Sequence, residues 1–97
     1  MKNNIITTIE IPNEIVKRLE LLHYDYLALS SLIETLNGVG SSFERIMMQY
    51  KQEYTEWIRL REQMRKEFIP EKYQTNQYDY NLNYDTGILE IFANENT

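Results

Sequence analysis

The sequence predicts an α+β fold: a long antiparallel αα-hairpin followed by a C-terminal β-hairpin, with an N-terminal strand placed to join that hairpin in a small antiparallel sheet. Three patterns carry this expectation. Two apolar series advance by alternating fours and threes, a short Gly-containing break separates them, and near the C-terminus Tyr and Leu alternate with Asp and Asn. A chain of 97 residues has room for one hydrophobic core, so a single domain over 1–97 is expected.

The first segment, about 5–11, sets Ile5, Thr7, Ile9 and Ile11 on one side and Ile6, Thr8 and Glu10 on the other, a period-two pattern rich in β-branched residues. Pro12 has no N–H for a strand ladder but is tolerated in the first turn of a helix. The first helix, about 13–37, carries the seam Ile15, Leu19, Leu22, Tyr26, Leu29, Ile33, Leu36, which Val16, Leu27 and Leu32 widen. That breadth favours packing into a globular core over an isolated coiled coil. Asn37-Gly38 tolerates the left-handed conformation of a helix C-cap.

Ser41 and Glu44 have the spacing of a capping box, which starts the second helix at Ser41 and its body at about 42–69. Its seam is Phe43, Met47, Tyr50, Tyr54, Trp57, then Arg61 where an apolar residue is due, then Met64 and Phe68, flanked by Ile46, Ile58 and Leu60. The short connection turns the second helix back along the first. Pro70 closes it, and the polar stretch 71–77 connects to a β-hairpin of about 78–84 and 88–92. Asp85-Thr86-Gly87 suits a turn with Gly in the left-handed position. A frayed tail is expected over 94–97.

Composition excludes several kinds of chemistry. With no Cys the chain has no disulfide, thiolate zinc site, iron–sulfur ligand or cysteine nucleophile, and its one His gives no histidine cluster for a transition metal. Neither a metal nor a cofactor is expected. A net charge of -5 argues against general nucleic-acid binding. The N-terminus lacks the features of a signal peptide, and no run approaches the ~20 apolar residues that span a bilayer, so a cytoplasmic protein without a membrane partner is expected.

No catalytic residue is expected either. His23 with Glu20 and Asp25, or with Glu53 and Glu56 across the hairpin, is the one acid/base candidate, and it lacks a nucleophile nearby and a Glu-x-x-His pair. Asp79 and Asp85 lack the oxygen-rich loop of a calcium site, and Gly38 and Gly40 lack the spacing of a phosphate loop.

Binding features are easier to find. Residues 74–97 carry four acidic and no basic side chains, whereas Arg59, Arg61, Arg65, Lys66 and Lys72 gather in and after the C-terminal half of the second helix. Such a cluster complements the helix macrodipole, or it docks an acidic partner segment. The chain has eight Tyr, three Phe and one Trp. Tyr24, Tyr26, Tyr50, Tyr54 and Trp57 suit the glue between two helices, and Trp57, Ile58, Arg61, Met64, Met48 and Tyr54 equally suit an exposed interface. Tyr73, Tyr78, Tyr80 and Tyr84 are too many for one narrow helix pair to bury.

A Leu/Tyr-rich helix, a Gly-containing turn, Phe43-Glu44-Arg45 early in the second helix, Tyr54-Thr-Glu-Trp57 in its middle and the terminal Tyr80-Asn-Leu-Asn-Tyr-Asp-Thr-Gly-Ile-Leu-Glu-Ile91 stretch resemble the small accessory proteins of ribosomal-peptide modification systems. These accompany a radical S-adenosylmethionine enzyme of the splicease or CXXX-repeat peptide type. The resemblance spans roughly residues 15 to 92 and rests on short motifs. It implies a non-catalytic partner of the enzyme, of the precursor peptide or of both, with the iron–sulfur cluster and S-adenosylmethionine held by the enzyme. No family site residue carries over, so the partner-binding residues expected here are those of the physical reading: Tyr54, Trp57, Arg61, Met64, Tyr80 and Tyr84. The alternative is a self-assembling helical protein of structural or regulatory kind, phage-type or antitoxin-like, forming a homodimer on its heptad seams.

Overall fold

The computed structural model describes residues 4–36 and 40–94, the side chain of Ser41 excepted. Strand β1 spans Ile5–Glu10, helix α1 Asn13–Leu36, helix α2 Ser41–Phe68, strand β2 Tyr78–Leu82 and strand β3 Ile88–Ala93, with a 3-10 turn at Glu71–Tyr73. The class is the α+β arrangement of a helical hairpin and C-terminal strands. By internal contacts the chain divides into two compact units, Met1–Lys17 with Glu62–Thr97, and Arg18–Arg61. Both helices pass from one unit into the other.

In the first unit the strands form one antiparallel sheet of order β1-β3-β2. Successive residues of a strand turn their N–H and C=O groups to opposite neighbours. Accordingly Ile11 N–H donates to the Gly87 carbonyl at 2.9 Å, while Asn83 N–H donates to the Ile88 carbonyl at 3.0 Å and Asn94 N–H to the Gln77 carbonyl at 2.8 Å. The odd-numbered residues of β3 therefore serve β1 and the even-numbered ones serve β2. A bulge between Ile5 and Thr7 shifts the β1 register by one residue.

Side chains alternate with the same period. Leu89 and Ile91, at 0% and 1% exposure, point inward from the central strand. Tyr80 and Leu82 on one flank and Thr7 and Ile9 on the other stand opposite them on the same face. Ile11, Val16, Met64 and Ile69 are buried in this unit as well.

The β2–β3 turn runs over residues 83–87. Gly87 N–H donates to the Asn83 carbonyl at 2.8 Å, and the Asn83 side-chain oxygen accepts from Asp85 N–H at 2.8 Å and Thr86 N–H at 3.2 Å. Gly87 has φ +75°, the left-handed region, and a Cβ there would lie 3.6 Å from the Ile11 carbonyl and 3.7 Å from Val16 Cγ2. The expected role of this glycine is thus present. The strand is shorter than expected, however, because the Asn83 turn takes up Tyr84, which lies in the loop and not in β2.

Pro12 precedes α1, and its carbonyl accepts from Ile15 N–H at 3.0 Å and Val16 N–H at 3.1 Å. Pro70 follows α2, which ends at Phe68. Gln74 follows in the connector and donates its side-chain amide to the Ile69 carbonyl at 2.6 Å and the Arg65 carbonyl at 3.2 Å. Two carbonyls near the helix end are satisfied from a segment that reads in sequence as a plain polar linker. Asn94 is also tied down, by its backbone bond to Gln77 and a side-chain bond to the Asn76 carbonyl at 3.3 Å. The expected Asn37-Gly38 cap, the Ser41 side chain of the capping box and residues 95–97 of the tail lie outside the described residues.

In the second unit the seams of both helices face inward, with Leu19 and Leu22 buried and Tyr26, Leu29, Ile33, Phe43, Met47 and Tyr50 half-buried. Leu27 and Leu32 do not widen the core. They are exposed, since a hairpin of two helices covers only one stripe of each.

Gly87→Ala puts an ordinary side chain at positive φ and is expected to cost about 1–2 kcal/mol. The check is urea unfolding, where the midpoint should fall with an unchanged slope.

Candidate protein-binding surface

In the second unit the aromatic residues form a continuous wall across the two helices. Tyr26 on α1 meets Tyr54 at 5.0 Å, Trp57 at 5.3 Å and Tyr50 at 6.2 Å between ring centroids. Tyr50 stacks on Tyr54 at 5.8 Å, and Tyr54 on Trp57 at 6.2 Å. His23 extends the wall, lying 5.3 Å from Trp57 edge to face, 5.2 Å from Tyr26 and 5.9 Å from Tyr24. These contacts follow from seam positions four and three apart on α2 facing Tyr26 on α1. The glue role expected for Tyr26, Tyr50, Tyr54 and Trp57 is present; Tyr24, at 59% exposure, projects outward.

Arg61 resolves its awkward seam position by leaving the core. It is exposed, and its guanidinium carbon stands 5.1 Å from the centroid of Trp57. The indole Nε1 of Trp57 is buried without a hydrogen-bond partner among the described residues. A second polar group ties the helices. Glu56 accepts from Arg59 one turn on, with Nε at 3.2 Å, and pairs with Arg18 of α1 at 3.6 Å. The hydrogen bond from Arg59 lowers the Glu56 carboxyl pKa, desolvation opposes it, and the charges of Arg59 and Arg18 add to the lowering.

Two ridges project from this unit. On α2, Tyr54, Ile58 and Arg61 lie four and three residues apart and all are exposed. On α1, Leu21, Tyr24, Ala28 and Leu32 lie three, four and four apart, with Leu21 62% exposed. Between Glu20 and Glu34 the sequence has one acidic residue, Asp25, and no Lys or Arg. This α1 ridge is absent from the sequence-based site. Its signal is a second apolar series running beside the main seam, which the widened-core reading of Leu27 and Leu32 conceals. Met48 belongs to neither ridge and lines a shallow depression with Lys51, Gln52, Thr55 and Glu56.

The six residues expected to bind a partner divide between the units. Tyr54, Trp57 and Arg61 adjoin one another in the second. Met64, Tyr80 and Tyr84 belong to the first, where Met64, at 1% exposure, is core and offers no surface to a partner. Tyr80 is half-buried and lines a cavity of about 80 Å³ with Arg65, Ile69, Tyr73, Gln74, Tyr78 and Asp79. That volume suits water better than an organic ligand. Arg65 is paired with Glu62, whose hydrogen bond raises the guanidinium pKa further.

His23 sits half-buried among rings and not on the open surface, while Glu56 is engaged by arginines. Among the described residues no group of three or more His, Cys, Asp or Glu side chains could hold a metal ion, and no helix is long and apolar enough to cross a membrane. Compared with protein-family models, with curated proteins and with solved structures, the chain matches none of them.

Trp57→Phe keeps an aromatic ring and removes the orphaned N–H, so its unfolding free energy should stay within about 1 kcal/mol of the parent, whereas Trp57→Ala should lose at least ~2 kcal/mol. The contribution of Glu56 is complete above the ordinary carboxylate pKa and is lost as pH falls through its depressed folded value. Parent and Glu56→Gln melting temperatures should therefore differ at neutral pH and converge on acidification.

Proposed function

We propose that this chain is a non-catalytic accessory protein that binds a radical S-adenosylmethionine peptide-modifying enzyme, its precursor peptide or both. The observation that carries the reading is the apolar surface of the Arg18–Arg61 unit. Leu21, Tyr24, Leu32, Tyr54 and Ile58 are each more than a third exposed there, in the unit that carries the aromatic wall. Monomeric proteins seldom leave a row of large apolar side chains on one helix face without a partner. Tyr and Trp beside an Arg are also the residue types that dominate binding energy at interfaces. The identity of the partner comes from the motif resemblance around Tyr54–Trp57 and Tyr80–Ile91. In this division of labour the enzyme carries the cluster and the chemistry, and the chain supplies position.

A second reading, self-association, draws on the helical spacing of Leu21, Tyr24, Ala28 and Leu32, since such a stripe suits a helix of another copy as well as a helix of an enzyme.

Affinity capture from the source lysate should recover an enzyme with an iron–sulfur absorption band that cleaves S-adenosylmethionine. Leu21→Asp, and separately Trp57→Ala with Arg61→Ala, should lower the recovered amount at least tenfold, with the circular dichroism unchanged for Leu21→Asp. Recovery of the bait alone, together with a dimer by light scattering that Leu21→Asp dissolves, would replace this reading by self-association.

A further inference from the structure

The two edges of the sheet are finished differently. On β2 the residues that turn away from β3 are Tyr78, Tyr80 and Leu82. Tyr78 N–H donates to the Thr75 carbonyl at 3.3 Å, and Tyr80 N–H donates to the Asp79 carboxylate at 3.0 Å. Two N–H groups of that edge are thus taken up by its own chain. On β1, Thr7, Ile9 and Ile11 face β3, which leaves the N–H and C=O groups of Thr8 and Glu10 pointing outward. Both residues are exposed, and among the described residues nothing hydrogen-bonds these groups. Native proteins limit such an edge with charge, proline, bulges or cover, and on β1 the charge is the single Glu10. Here Ile5 and Ile6, 52% and 43% exposed, extend it with apolar surface. The bulge at Ile5/Thr7 and Pro12 mark the two ends of the open segment.

Charge selects the occupant. The outer face of the sheet carries Glu10, Glu90 and Asp79, with Thr8, Glu90 and Asn81 forming one cross-strand row, and no Lys or Arg occurs in any of the three strands. We infer that the open edge of β1 takes up an extended peptide segment of alternating basic and apolar residues as an added strand. Side chains of that segment opposite Thr8 and Glu10 stand on the outer face, where Lys or Arg neutralises Glu10 and approaches Glu90. Those between them fall on the face of Thr7 and Ile9, where β-branched residues fit. A second copy of β1 is disfavoured, because it would set two acidic faces side by side in chains that each carry a net charge of -5. The inference rests on the accessory reading, for which it names the chemistry of the peptide.

The test is titration of the full chain with a short acetylated and amidated peptide alternating Lys with Val and Thr, followed by backbone amide exchange. The peptide should protect the Thr8 and Glu10 amides. Glu10→Lys should weaken uptake about tenfold. Thr8→Pro removes only an outward N–H and should abolish uptake while the amides of Leu89 and Ile91 stay protected. A matching peptide with Glu in place of Lys should not bind. Protection at β2 instead of β1, equal affinity for Glu10→Lys, or Thr8 protection that grows with protein concentration alone would overturn the inference. Peptide uptake lost with enzyme capture intact removes the strand site only; enzyme capture lost with uptake intact removes the accessory reading only.

Discussion

The pairing of β1 with β3 is the constraint on which the first unit rests. A two-stranded hairpin alone is marginal in water, and β2 with β3 would be such a hairpin. The N-terminal strand, arriving from the far end of the sequence, makes β3 a central strand whose backbone groups are used on both sides. Only then are Leu89 and Ile91 enclosed from both flanks, and only then does the Gly87 carbonyl gain its donor from Ile11. Gly87 matters twice for this reason. It closes the turn in a left-handed conformation and presses that turn against the residues on either side of Pro12, where strand gives way to helix.

Much of this architecture is legible in the residues. Alternation over Ile5–Ile11, the fours and threes of both helices, the two prolines and the Asp-Thr-Gly turn each act locally, so each could be read without knowing the rest. Tyr84 could not be placed so, because strand and turn compete for it and the competition is decided by the Asn83 side chain, which captures two turn N–H groups. The Gln74 cap was illegible for a similar reason: an amide that reaches back to the helix end depends on where the chain lies after Pro70, not on any spacing.

The candidate surface shows the opposite balance. Apolar residues at helical spacing say that a face is apolar, and they do not say what covers it. Leu27 and Leu32 read as core and are exposed; Met64, a seam position also expected to bind a partner, is core. Both errors come from one cause, since a pair of helices buries a single stripe on each, and the sheet unit buries the end of α2 that contains Met64. Arg61 was the more informative signal. A charge in an apolar seam has to leave it, and here it leaves by lying over Trp57, so the sequence marked where the core ends and the surface begins.

One further consequence follows from the register of the sheet. Ile5 lies opposite Phe92, so the chain enters β1 and leaves β3 at the same end of the same ladder. A pull applied through the segments before Ile5 and after Ala93 would load the hydrogen bonds one pair at a time, beginning at the bulge, and not all together. The sheet is thus built to open like a zipper under tension, at low force and from the Ile5–Phe92 end, while the helical hairpin that follows β1 in the chain bears none of the load until the zipper has parted.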